Sequence, residues 1–265
     1  MTNTASDGPA RRRLARIIAT TILFGLGLLI AAAPAIFPSG RATLWFVGGG
    51  AAVWLFLGGT LWRRRDWNVA ADDAQVIRGG TLTVGTWVTL ARGLLISALG
   101  GFLLAPPATG APAWLPGMLY TAAALGDGLD GVLARRRRQA TKLGASLDVT
   151  TDAVGLLVAP LLAVARGRLP PWYLLLSAAY PLFQLGLGLR ERWRWPTFRA
   201  RLRPYSRAKL FAGVQMAVVA AALYPVLPRW VLWPLASLAM LPTLALFGRE
   251  WRLATTTTVI EPRAR

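Results

Sequence analysis

Apolar residues along the chain fall in long runs broken by short polar stretches. A run of about 18 or more residues with almost no charge is long enough to cross a bilayer as a helix. Eight such stretches stand out, at 15–37, 42–62, 86–105, 112–133, 145–165, 169–189, 208–227 and 230–248. Gly, Pro and Trp are frequent in them. That suits membrane helices, where small residues permit close packing and Trp sits at the interfaces. The pattern predicts an all-α, polytopic membrane protein of about eight spans.

The polar stretches carry their own signal. With eight spans, twenty-six of the thirty Lys and Arg residues fall on one face, and only Arg41, Arg166, Arg168 and Arg229 on the other. Cytoplasmic loops are the basic ones, so the termini and basic loops are expected in the cytoplasm of a cell membrane. Arg11–Arg16, the following apolar run and Ala33-Pro34-Ala35 also resemble a secretory signal. The run is longer than a usual signal core, which favours a retained first span. The expected division is a tail plus transmembrane hairpin at 1–66 and a linker at 67–85. A six-helix core at 86–248 and a tail at 249–265 follow.

Composition narrows the chemistry. Only 15% of the 265 residues are charged, where a soluble domain carries about a quarter. The formal charge of +19 is accounted for by the basic cytoplasmic loops, so no nucleic-acid partner is expected. The chain has no Cys and no His. Disulfides, thiolate metal sites, histidine bases and Ser–His–Asp triads are thereby excluded.

Eleven acids remain. Seven lie in tails, loops or span edges, but Asp127 and Asp130 fall in the fourth span and Asp148 and Asp152 in the fifth. A carboxylate at membrane depth costs roughly 2.5–3.5 kcal/mol on insertion scales, somewhat less near a helix end. Spacings of three and four put each pair on one face of its helix. The short loop at 136–143 makes the two helices antiparallel neighbours, so the four acids converge at the cytoplasmic boundary. Converging carboxylates repel unless cations lie between them. An all-oxygen set favours Mg²⁺ or Mn²⁺, and four ligands have room for two ions, as in phosphoryl and phosphodiester transfer. The competing reading is four helix-end acids pairing with Arg135–Arg138.

Written out, this region reads Asp127-x-x-Asp130-Gly131-x-x-Ala134-Arg135, eight residues, then Gly144-x-x-x-Asp148-x-x-x-Asp152. It resembles the signature of the CDP-alcohol phosphotransferase family at every fixed residue and gap. Thr86-Trp87-Val88-Thr89-Leu90-Ala91-Arg92 is similar to the family's Asn-x-x-Thr-x-x-Arg, with Thr86 where Asn is usual. Ser206-Arg207-Ala208-Lys209 is partly similar to a basic entry found in many members. The resemblance implies a six-helix core, homodimerisation, and transfer of a phosphatidyl group from a CDP-linked lipid donor to a polar alcohol acceptor, with release of CMP. By similarity, Asp127, Asp130 and Asp148 hold two Mg²⁺ or Mn²⁺ ions. Asp152 also faces the metals and serves as general base.

The same resemblance assigns Thr89, Gly131, Ala134, Arg135, Thr141 and Gly144 to the CDP moiety. Gly131 and Ala134 leave room for nucleotide against the helix, Arg135 offers a fork of donors, and Thr141 and Gly144 precede a helix N-terminus. Thr86, Arg92, Arg207 and Lys209 are candidate substrate contacts, with interfacial snorkelling the alternative for the basic ones. The acceptor stays open among glycerol 3-phosphate, an inositol phosphate, serine, myo-inositol and a second lipid. So do a CDP-linked small alcohol as donor, a transporter and a non-catalytic scaffold.

Overall fold

The computed structural model describes residues 7–69, 80–137, 141–178 and 206–256, with Asp7 and residues 128–137, 206–209, 250, 251 and 253–256 as backbone only. Within them the chain is helical and contains no strand. The α-helices are α1 (Asp7–Ile36), α2 (Gly40–Arg63), α3 (Val84–Leu104), α4 (Leu115–Arg137), α5 (Lys142–Ala165), α6 (Ser206–Leu223) and α7 (Arg229–Thr256). Residues 174–178 are also helical.

Among the described residues, five helices are long and apolar enough to cross a membrane: Gly8–Ile36, Gly40–Arg63, Val84–Leu104, Lys142–Ala165 and Arg229–Arg249. The other three expected spans differ for separate reasons. α4 carries Asp127, Asp130 and Arg135–Arg137, which lower its hydropathy. In α6 the described side chains cover only the apolar stretch Leu210–Leu223. Most of the stretch 169–189 lies outside the described residues.

Local sequence sets the helix ends. Thr83 caps α3 by accepting from the Thr86 N–H at 3.4 Å, and Thr141 caps α5 by accepting from the Gly144 N–H at 3.0 Å. α5 stops at Gly167, whose φ of +65° is open to glycine without strain. The Gly167 N–H reaches Val164 O at 2.8 Å and the Arg168 N–H reaches Ala163 O at 2.9 Å, the two bonds of a Schellman turn.

The N-terminal hairpin is part of the bundle. Among the described helices, α2 and α3 share the most extensive contact. A Cβ on Gly49 would stand 2.3 Å from Gly100 O, and one on Gly101 would stand 2.6 Å from Phe46 O. The two backbones therefore touch, as small residues allow between membrane helices. Phe37, Phe46 and Phe102 cluster with ring centroids 5.2–5.8 Å apart. The Trp54 indole donates to Ile22 O at 2.9 Å and so ties α1 to α2.

α3 and α5 run parallel with α4 antiparallel between them in sequence, so the starts of α3 and α5 meet the end of α4. A Cβ on Gly144 would lie 2.8 Å from Thr86 Oγ1, which places the two N-termini side by side. The chain leaving α2 also arrives here. The Lys142 N–H donates to Val69 O at 3.0 Å, and Arg64 Nη1 donates to Ser146 Oγ.

Candidate active site

The site forms where those three helices meet. Asp127 comes from α4, and Asp148 and Asp152, one turn apart, come from α5. One carboxylate oxygen from each of the three lies within 4.8 Å of the others. Their side chains are 36–38% exposed, so the cluster opens to solvent on one side.

The buried side of the cluster is closed by Arg92 of α3, which is 4% exposed. Its Nη1 donates to Asp148 Oδ1 at 2.7 Å, and its Nη2 to Asp152 Oδ1 at 2.5 Å. Asp127 Oδ1 is 3.2 Å from Nη2, and Nε donates to Ala123 O at 3.1 Å. One guanidinium fork thus spans the three acids from two helices, which a lysine ammonium cannot do. Gly126 makes room for it. A Cβ there would sit 2.9 Å from Arg92 Cγ and 3.0 Å from Cδ. Beneath the cluster, Arg92, Ile96, Tyr120, Asp152 and Met216 line a cavity of about 20 Å³, room for about one water.

The donor set fits a hard divalent cation. Three carboxylate oxygens are the hard, all-oxygen donors that Mg²⁺ and Mn²⁺ prefer, and Asp127, Asp148 and Asp152 are close enough together to share a cation. Arg92 takes one oxygen, Oδ1, of each acid, and every carboxylate has a second to offer. Asp130 lies on the same α4 segment, but its side chain is outside the described residues.

The remaining expected positions fall into two groups. Thr86, Thr89, Thr141 and Gly144 sit at the paired helix starts. Thr86 is buried with its hydroxyl 2.9 Å from Thr83 Oγ1, and Thr89 Oγ1 donates to Gly85 O at 3.1 Å. Thr141 is the cap of α5, and Gly144 is the seat of Thr86. The side chains of Gly131, Ala134, Arg135, Arg207 and Lys209 lie outside the described residues. The sequence reading overlooked Gly126 and the central place of Arg92. A signal was present for the latter, because Arg92 is the one charged residue in Val84–Leu104 and needs a counter-charge at that depth.

A bundle of membrane-length apolar helices with three convergent carboxylates and a buried arginine defines a class of multi-pass membrane protein with an acidic site at one end. The family profile described as CDP-alcohol phosphatidyltransferase matches residues 82–246, and the chain belongs to that family. Curated relatives are named CDP-diacylglycerol--glycerol-3-phosphate 3-phosphatidyltransferase. Those of Yersinia pestis (strain Pestoides F) and Yersinia enterocolitica are 38% identical over 100 residues, and that of Sodalis glossinidius is 37% identical. Each match covers 37% of this chain and 52% of the relative, so the chain spans about half the length of the curated relatives it matches. No solved structure gives a significant match.

Proposed function

We propose that the chain transfers the phosphatidyl group of CDP-diacylglycerol to the hydroxyl of glycerol 3-phosphate, releasing CMP, at the cytoplasmic face of the cell membrane. The observation that carries the proposal is the gathering of Asp127, Asp148 and Asp152 around Arg92 within the intact family motif. The relatives' names favour glycerol 3-phosphate among the acceptors.

Asp127, Asp130, Asp148 and Asp152 would hold Mg²⁺ or Mn²⁺, which when bound neutralises pyrophosphate charge. The acceptor oxygen forms a bond to the β-phosphorus of the donor while the bond from that phosphorus to the bridging oxygen breaks. CMP leaves with the electron pair, and Asp152 takes the proton of the attacking hydroxyl. Arg92 fixes the Asp152 carboxylate through Oδ1, which orients its other oxygen. The adjoining N-termini of α3 and α5 favour negative charge in front of them, as the donor's phosphates require. An active site at the bundle end keeps the acyl chains in lipid while cytidine and acceptor enter from water.

The test is CMP release by purified protein in mixed micelles with labelled CDP-diacylglycerol, Mn²⁺ and a panel of alcohols. Release that needs both metal and glycerol 3-phosphate supports the proposal. Release with serine, myo-inositol or an inositol phosphate instead replaces the acceptor. No release with any alcohol overturns the reaction.

A further inference from the structure

The end of the bundle away from the aspartates carries a second, smaller gathering of positive charge. Its basis is the Schellman turn that closes α5. Arg166 and Arg168 flank Gly167 there, just past the end of α5 at Ala165, which lies thirteen residues beyond Asp152 and thus about 20 Å along the helix. Arg166 Nη2 donates to Phe102 O at 2.5 Å and Ala105 O at 2.6 Å, at the end of α3. Arg168 donates through Nε to Ala222 O at 3.2 Å and through Nη2 to Tyr224 O at 2.7 Å, at the end of α6. Each fork is anchored by carbonyls on one edge, while its Nη1 has no acceptor among the described residues.

Both arginines line one cavity of about 370 Å³, walled by apolar groups including Phe102, Leu162 and Leu223. That volume lies in the range of small-molecule sites. No acid lines it, and neither arginine pairs with a carboxylate among the described residues. Burial pulls the Arg166 guanidinium below its usual range, as expected of a cation without a counter-charge. The space beside them is open on one side, so an incoming group can reach both forks. Two anchored forks facing an apolar cavity match an oxyanion attached to hydrocarbon.

We propose that this cavity is a phosphate-binding site, distinct from the aspartate site, which seats the phosphodiester of a bilayer lipid with its chains along the apolar wall. Thermal unfolding of the full chain in detergent, followed by Trp fluorescence, tests it. Phosphatidylglycerol at a hundredfold excess over Kd should raise the midpoint by about 5 °C or more, and inorganic phosphate by much less. The double variant Arg166→Gln, Arg168→Gln should lose that shift. If it does not fold, Ala108→Trp decides, because it fills the cavity without touching the arginine–carbonyl bonds. Ala108→Trp should abolish the lipid shift and one lipid adduct in native mass spectrometry while CMP release is unchanged. An undiminished shift in Ala108→Trp overturns the site. An equal shift from inorganic phosphate overturns the lipid as occupant.

Discussion

Arg92 and the three aspartates it joins set the terms of the site. Two carboxylates whose oxygens lie within 4.8 Å of each other repel by roughly 3.5 kcal/mol at that limit and an effective dielectric near 20, with solvent exposure reducing this. The arginine offsets part of that repulsion before any metal arrives. Arg92→Gln should therefore lower stability by about 3 kcal/mol without metal, the low end for breaking a buried pair. Saturating Mn²⁺ should recover much of the loss. Melting curves with EDTA and with Mn²⁺ check this, and equal midpoints for variant and wild type in EDTA would refute it. Asp152→Asn addresses the proton instead. Removing a general base costs about 10²–10⁴-fold in rate, so CMP release should fall by that much while Mn²⁺ binding, read by electron paramagnetic resonance, persists. The convergence of Asp127, Asp148 and Asp152 was legible in the sequence because carboxylates in apolar runs are rare and their spacings define faces. The inward course of Arg92 was not. A long side chain can snorkel outward from the same position, and only Gly126, on another helix, opens the inward path.

For the helices, the structure adds the hairpin's packing partner. The sequence sets the hairpin within 1–66 apart from the six-helix core expected at 86–248, since the motif begins further on. In the structure α2 lies against α3 with backbone contact at Gly49 and Gly100, and the chain leaving α2 braces the start of α5 through Arg64 and Val69. Glycines in apolar helices hint at close packing, but only the partner helix says which ones matter. Gly49 and Gly48 make that distinction testable. A Cβ at Gly49 meets a backbone carbonyl that cannot move aside, whereas one at Gly48 meets nothing within 4 Å. Gly49→Leu should destabilise by about 1–3 kcal/mol or more, and Gly48→Leu should be nearly neutral. Melting temperature and protease resistance of both variants decide it; equal behaviour would mean that α2 and α3 do not pack this way. α4 carries a parallel lesson. The acids that reveal the site are also what keeps its helix below the hydropathy of a membrane span.

Over the whole molecule, the question is which end faces which compartment. The charge count assigns the basic loops to the cytoplasm only if the spans between them are counted correctly, and one error in parity would scatter the charges. The structure supplies an independent ordering of ends. Asp66, Val69 and Lys142 gather at the aspartate end. Arg166 binds the end of α3 and Arg168 the end of α6, so the loops at 105–110 and 224–228 share the opposite end. Because the chain lacks cysteine, single substitutions give clean reporters. Asp66→Cys and Gly248→Cys should resist a membrane-impermeant maleimide in intact cells and react after permeabilisation. Thr109→Cys and Val226→Cys, both at exposed positions, should react in intact cells. Among the described residues, α3 is the one long helix between 66 and 109 and α7 the one between 226 and 248, so each pair should give opposite results. Labelling of 109 and 226 on opposite sides would break the span parity on which the charge count depends. Labelling of 66 and 248, rather than 109 and 226, in intact cells would invert the molecule and put the aspartates outside, away from a cytoplasmic supply of nucleotide-linked donor.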